Sequence, residues 1–322
     1  MAKIWVYAEV AGGQVSPVSL EVLSGVRGMG AEVAAVVLDP KAREVVAELG
    51  EYGASTVYVG ADAIYRELVA QPHAEVLARL LSDERPDLMV LGGSYDARDI
   101  AGRLAARLGI TVVANATGIA QAEGGFLVES SIFGATQNVT TALAGPTSLI
   151  LVRPKSYQAE KASGTNPKVV EVPLPPDAPR GARRLESVEV PSSGPKLEDA
   201  KVVVSGGRGL QDPGNFKLLE ELADLLHGAV GASRAVVDAG WVPYSKQVGQ
   251  TGKTVKPDVY LAWGISGAMQ HTVGMKGASH IVAVNKDRDA PIFKLSDLGV
   301  VGDALQVLPA LMAELRSRGG LG

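Results

Sequence analysis

The residues best equipped for chemistry lie between Ser205 and Asp303, where strand-like runs end in glycine or a small polar residue before a helix begins. This happens after Val204, after Trp263 and after Val284. In an open parallel sheet, ligands bind outside the carboxyl ends of the strands. A helix N-terminus there offers unpaired N–H groups and partial positive charge, which suit phosphate. Gly264-Ile-Ser-Gly267-Ala-Met-Gln-His271 is the strongest candidate. Its glycines let backbone approach a phosphate and Ser266 can donate a hydroxyl; an ordinary glycine-rich βα turn would read the same way.

Two near-matches constrain the ligand. Gly207-Arg-Gly209 followed by Asp212 lacks the third glycine of the dinucleotide fingerprint. Gly252-Lys253-Thr254 resembles the end of a P-loop, but Gln247 stands where its first glycine belongs. No clear strand precedes this segment, and Lys256-Pro257 opposes a following helix, which argues against an ATPase. Arg234 reads either as a ligand contact or as a surface ion-pair partner. His271, just inside a helix start, reads as a ligand contact or as a satisfied structural histidine. Neither has a visible nucleophile–base partner, and no G-x-S-x-G elbow is present. The equipment is for binding rather than bond breaking.

Composition narrows the classes further. Cysteine is absent, which removes disulfides, thiolate metal sites and cysteine nucleophiles. Four scattered histidines predict no dedicated metal cage. With Lys+Arg 31 against Asp+Glu 35 the net charge is −4, which argues against nucleic acid or an anionic membrane as partner. Glycine is in excess, 38 of 322 residues or about 12% against a usual value of about 7%. Residues 130–152 carry no charge but include Gln137, Asn138 and Pro146, so polar-turned strands fit better than a membrane span. The chain opens on a strand pattern with no room for a targeting peptide, predicting a soluble, cytoplasmic protein.

The elements that must position these residues form two series. The first alternates strands (Lys3–Glu9, Glu32–Leu38, Thr56–Val59, Asp87–Leu91) with helices (Ser19–Gly28, Lys41–Leu49, Ala74–Ser82, Asp96–Leu108). That rhythm predicts parallel βαβ units. A β-rich stretch follows from Ile110 to Val152, with turns at Gly124-Gly125, Gly134 and Gly145-Pro146. Residues 154–195 hold eight of the eighteen prolines and predict a connection, with Val169–Val172 and Leu185–Val190 as possible added strands. The boundary falls near Ser193–Leu197, giving α/β domains over 1–195 and 196–322. In the second, Lys201–Val204, Ala235–Val237, Val259–Trp263 and Ile281–Val284 read as strands. Asp212-Pro213 caps a helix with the stripe Phe216, Leu219, Leu222, Ala223 and Leu226, and a last helix follows Gly302-Asp303 despite Pro309. Each domain is expected to hold a mainly parallel sheet flanked by helices.

Several long segments occur in a distinctive order: Ser233-Arg234-Ala-Val-Val-Asp238-Ala-Gly240-Trp241, Gln247-Val-Gly-Gln250-Thr251-Gly252-Lys253 and Gly264-Ile-Ser-Gly-Ala-Met-Gln270-His271. Gly274-Met275-Lys276, Ile281-Val-Ala-Val-Asn285-Lys286-Asp287 and Ala290-Pro291-Ile292-Phe293 complete the series. Together they resemble the C-terminal domain of the electron-transfer flavoprotein α subunit over most of residues 200–310. The first half resembles that family more loosely, through its opening strand, Gly92-Gly93 and Asp99-Ile-Ala-Gly-Arg-Leu-Ala.

The resemblance implies one FAD in a Rossmann-like second domain, an obligate heterodimer with a β subunit contacted by the first domain, and AMP in that β subunit. It places Arg234 beside the isoalloxazine, where a fixed positive charge favours the reduced anion. Thr251 would lie near flavin N5 and His271 near the O2 and N1 edge, donors that also favour the reduced form. Ser266 and the backbone of Gly267, Ala268, Met269 and Gln270 would hold the pyrophosphate. Arg208, Ser233, Asn285 and Asp303, with Ala304 beside it, would secure the phosphate and adenosine end, while Val248, Gly249, Gln250 and Thr251 would wrap the flavin's middle.

The implied function is a redox carrier. It would take electrons from flavoprotein dehydrogenases such as those acting on acyl-CoA in fatty acid β-oxidation, and pass them to a quinone-linked oxidoreductase. A carrier needs no nucleophile, acid or base, consistent with the missing constellation. The alternative within the family is a bifurcating, NADH-using complex with a second FAD in the β subunit. A nucleotide-binding module without redox work is disfavoured by Arg234, Thr251 and His271 occurring together.

Overall fold

The computed structural model describes residues 1–133, 137–162, 166–175, 181–186 and 195–318. The chain divides into two compact units, Met1–Val188 and Glu189–Gly322.

The first unit begins with β1 (Lys3–Ala8), a small hairpin of β2 (Val10–Ala11) and β3 (Gln14–Val15), and α1 (Pro17–Arg27). It continues through β4 (Glu32–Leu38), α2 (Val46–Glu51), β5 (Thr56–Gly60), α3 (Ile64–Glu67), α4 (Gln71–Glu84), β6 (Leu88–Gly92) and α5 (Tyr95–Leu108). Then come β7 (Val112–Ala122), β8 (Gly125–Ile132), β9 (Gln137–Leu143), β10 (Ser148–Val152) and β11 (Lys168–Glu171). Nine of these strands form one sheet in the order β11-β5-β4-β1-β6-β10-β7-β8-β9. Only β7-β8-β9 pair antiparallel. The central strands are apolar throughout because helices cover both faces, as a parallel sheet requires. Ser94 starts α5 by accepting from Ala97 N at 2.9 Å.

Three expectations for this unit change in detail. The helix expected over Lys41–Leu49 is split into a 3-10 turn, Ala42–Val45, and α2. The strand expected at Val169–Val172 is β11, parallel to β5 at the sheet edge. Leu185 and Glu186 form no strand, and 187–190 lie outside the described residues, as do Gly134 and positions 193 and 194 of the expected Ser193–Leu197 boundary.

The second unit comprises β12 (Val202–Gly206), α6 (Phe216–Leu225), β13 (Ala229–Ala232), α7 (Arg234–Asp238) and β14 (Val259–Trp263), followed by α8 (Met269–Thr272), β15 (His280–Asn285), β16 (Leu298–Val301) and α9 (Ala304–Ser317). All five strands are parallel, in the order β13-β12-β14-β15-β16. By rank this is 2-1-3-4-5, a doubly wound sheet whose switch point lies between its first and third strands, here β12 and β14.

The expected α6 stripe is buried at Phe216, Leu219, Leu222 and Ala223, while its last member, Leu226, is the half-buried C-cap beyond the helix; Asp212 Oδ1 accepts from Gly214 N at 2.7 Å in the preceding turn. Asp303 Oδ1 accepts from Leu305 N at 3.0 Å, so α9 begins at Ala304 and Pro309 sits inside it.

The strand expected at Ala235–Val237 is a correction: those residues belong to the helical turn α7, and the strand precedes them as Ala229-Val-Gly-Ala. β13 carries little side-chain volume because its Gly231 faces Ser205 of β12; a Cβ there would stand 3.0 Å from Ser205 Oγ. A strand specified by small residues at a close approach leaves little apolar signal. β16 was also not expected, since Leu298 and Val301 are exposed.

Candidate functional site

At the carboxyl ends of β12, β13 and β14 the second unit opens a cavity of about 680 Å³, within the usual range of about 300–1,000 Å³ for small-molecule sites. Four segments build it. Gly207 and Arg208 continue β12, Ser233–Asp238 follow β13, the loop 247–251 lies across them, and 264–271 follow β14.

The loops after β12 and β14 meet backbone to backbone. Gly207 N donates to Trp263 O at 2.9 Å and Gly209 N to Gly264 O at 3.0 Å. Gly264 has φ +61°, and a Cβ there would lie 2.6 Å from Gly209 Cα, so both conformation and space demand glycine. The 247–253 segment is a tight turn pinned to its surroundings. Val248 N donates to Ala232 O at 2.9 Å, Lys253 N to Gln247 O at 2.8 Å and Gln250 N to Gln270 O at 2.7 Å. Lys253 pairs with Glu198 at 2.6 Å, and no helix follows Gly252, so this is not a phosphate-binding P-loop.

Ten of the expected residues line the cavity: Arg208, Ser233, Arg234, Val248, Gly249, Thr251, Ser266, Ala268, Gln270 and His271. Six do not. Gln250 and Met269 sit exposed beside it, with Gln250 holding the two loops together. Gly267, at φ +86°, packs on the Ile292 backbone. Asn285 Nδ2 donates to Ile265 O at 2.9 Å and braces the loop after β14. Asp303 caps α9 and pairs with Lys286 at 3.0 Å, with Ala304 buried behind it. Asp238, Gln247 and Ile265 also line the cavity and were not singled out from sequence.

Three side chains set the site's electrostatics. Arg234 Nε donates to Asp238 Oδ2 at 3.0 Å, one helical turn on, and both are exposed. Exposed pairs contribute only about 0–1 kcal/mol, so the guanidinium remains available to an anionic ligand. Arg208 stands at the rim with no carboxylate partner among the described residues. Buried Gln247 donates from Nε2 to Thr251 Oγ1 at 3.0 Å, which leaves the exposed Thr251 hydroxyl hydrogen free to donate outward. Gln247 was visible in the sequence only as a departure from the P-loop pattern.

His271 is buried, and its Nε2 lies 2.9 Å from the Tyr260 hydroxyl. Burial pushes its pKa down to about 4, against a weak opposing effect of the Val248 backbone, so the ring is neutral at neutral pH. Its Nδ1 has no partner at hydrogen-bond geometry. Among the described residues His271 takes part in no Ser–His–Asp arrangement, because Tyr260 occupies Nε2 and Asp238 holds Arg234. No cluster able to hold a metal occurs among the described residues. No described helix is long and apolar enough to cross a membrane. What converges is a cavity with rim cations, hydroxyls and a neutral imidazole.

Residues 196–276 match the family described as the electron transfer flavoprotein FAD-binding domain, and residues 4–177 match the electron transfer flavoprotein domain. The chain is 43% identical over 251 residues to electron transfer flavoprotein subunit alpha of Mycobacterium leprae, covering 77% of each. It is 36% identical over 324 residues to the subunit of the same name from Thermoanaerobacterium thermosaccharolyticum, covering 97% of each. Protein FixB of Clostridium saccharobutylicum is 40% identical over 251 residues, covering 76% of this chain and 74% of that one.

Proposed function

The chain belongs to the electron transfer flavoprotein α-subunit (FixB) family, and from that premise we propose that the switch-point cavity of its second unit holds FAD and that the protein is a one-electron carrier working with a β subunit. The observation that carries this reading is the lining of that cavity: two arginines, three hydroxyls and a neutral imidazole, with no nucleophile–base pair among them. The cavity's close-packed glycine loops and its two rim arginines fit a large, flat, acceptor-rich group that carries phosphate.

The bound flavin would supply the electron chemistry. This chain's residues would bind and tune it. Arg234 brings a permanent charge that favours the more negative form of the cofactor. Thr251, oriented from behind by Gln247, and His271 add neutral donors whose hydrogen bonds strengthen as negative charge grows. Arg208, Ser233 and the segment Ser266–Gln270 would hold the phosphate-bearing part, with Gly267 and Met269 shaping that segment. Gln250 and Asn285 would act by bracing the loops; Asp303 and Ala304 would keep the adenosine end in place from the start of α9.

The electron donors in this reading are flavoprotein dehydrogenases, the acceptor is a quinone-linked oxidoreductase, and the β subunit carries AMP, all in the cytoplasm. Nucleotide extraction from the purified αβ complex tests it. One FAD plus one AMP is the result expected. Two FAD would instead indicate a bifurcating, NADH-using complex, and no FAD would refute the reading.

A further inference from the structure

Lys253 ends the segment that resembles a P-loop, yet it has no part in the cofactor contacts proposed above. It is the one charged residue among 247–253. Its ammonium lies 2.6 Å from Glu198 Oε1, and the two side chains are only 33% and 37% exposed. The other carboxylate oxygen, Glu198 Oε2, is buried and has no hydrogen-bond partner among the described residues. The carboxylate is therefore committed to one cation, and loss of either partner would leave the other partly desolvated and uncompensated.

The partners belong to segments of different stiffness. Glu198 stands just before β12, in a turn that Asp199 N closes by donating to Lys196 O at 3.0 Å. Its neighbours Leu197 and Ala200 are buried in the core cluster that also holds Val248 and Val255, so Glu198 is a fixed post. Lys253 ends a loop that glycine makes pliable: Gly249 has φ +142°, and a Cβ on Gly252 would collide with Gln247 O. Lys253 is also the stem of that loop. Its N donates to Gln247 O at 2.8 Å and its O accepts from Gly249 N at 3.1 Å. A displacement of Lys253 therefore carries Gln247, Val248 and Gly249 with it, and these with Thr251 form one wall of the cavity.

We propose that Glu198 and Lys253 are positioning residues: their ion pair clamps the 247–253 loop to the segment ahead of β12, so that Val248, Gly249 and Thr251 keep a fixed approach to the flavin. The inference rests on the FAD reading for the identity of what fills the cavity, but not for the clamp. Backbone bonds from Val248 N to Ala232 O and from Gln250 N to Gln270 O hold the middle of the loop, and the ion pair holds its end. A rigid wall suits a carrier, because dipoles already in place cost no reorganisation when the charge of the cofactor changes.

The test is amide hydrogen exchange of the αβ complex, with FAD and after its removal. Glu198→Gln and Lys253→Met each remove one charge while keeping the side chain's length. Each should speed exchange of the Gly249, Gln250 and Lys253 amides by roughly fivefold or more in both states, and the double variant should be no faster than the faster single. In the loaded complex each should also speed FAD dissociation by roughly fivefold and displace the flavin midpoint potential, which a pair serving stability alone would leave unmoved. Unchanged loop exchange in Glu198→Gln overturns the proposal, even if Lys253→Met does not fold. So does an unchanged potential in the flavin-loaded Glu198→Gln complex, or single effects that multiply in the double variant. If the complex binds no flavin, the FAD reading fails, and the loop exchange still decides the clamp.

Discussion

Arg234 meets its counter-ion on its own helical turn, where Asp238 holds the guanidinium at 3.0 Å in the open cavity. The ion pair read from the sequence is present, and the same side chain lines the cavity. The account gives Asp238 a measurable influence, because its charge offsets part of Arg234's. Arg234→Ala should lower the potential for adding the second electron to the flavin, on the order of 2 kcal/mol or roughly 90 mV. Asp238→Asn should raise it by less. Spectroelectrochemical titration of the complex checks both, and equal potentials in all three proteins would remove Arg234 from the site. Thr251 differs: its exposed side chain accepts from Gln247 Nε2, while the Tyr244 hydroxyl donates to its backbone carbonyl and not to its side chain. Thr251→Ala should shift the potentials while changing flavin-free stability by no more than about 0.5 kcal/mol in denaturant titration. A larger loss would mark the residue as structural. Sequence could nominate Arg234, Thr251 and His271 because they stand in distinctive segments. It could not nominate Asp238, Gln247 or Tyr260, whose roles depend on which neighbour the fold brings within reach.

At the scale of elements, the legible parts are those where one physical cause dominates. The α6 stripe, the central strands of both sheets and the Asp303 cap follow from apolar spacing and capping chemistry. β13 was misplaced because Ala229-Val-Gly-Ala is set by close packing on Ser205 rather than by apolar volume. β16 escaped notice because an edge strand with exposed Leu298 and Val301 lacks a buried face. The glycine excess becomes specific at Gly264. Gly264→Ala should destabilise the second unit by about 1–3 kcal/mol or more, since it combines a left-handed backbone with a clash against Gly209. Chemical denaturation measures this, and a neutral effect would show that the two loops are not locked together. Flavin content of the variant should fall as well, because these loops form the cavity floor.

For the whole molecule, each unit buries one neutral histidine. His73 in the first and His271 in the second both have pKa values pushed down to about 4 by burial, against about 6.5 when unfolded. Between those values the unfolded chain binds more protons than the native one, so stability is fully present above pH ~6.5 and falls as the pH drops toward 4. Each histidine should cost about 2 kcal/mol at pH 5 relative to pH 7. Denaturant midpoints at the two pH values test this. His73→Phe, placed among Tyr7 and Tyr65, should remove the acid loss of the first unit alone. The division into two α/β units with parallel sheets was readable from alternating strands and helices. The 2-1-3-4-5 order that creates the switch-point cavity was not, because strand order depends on pairings between segments far apart in sequence. The central claim is that this cavity binds FAD, and the visible absorption spectrum of the complex co-expressed with its β subunit tests it most directly. The account predicts a yellow protein with flavin bands, bleached on reduction. A colourless, fully folded heterodimer that takes up no added FAD would contradict it.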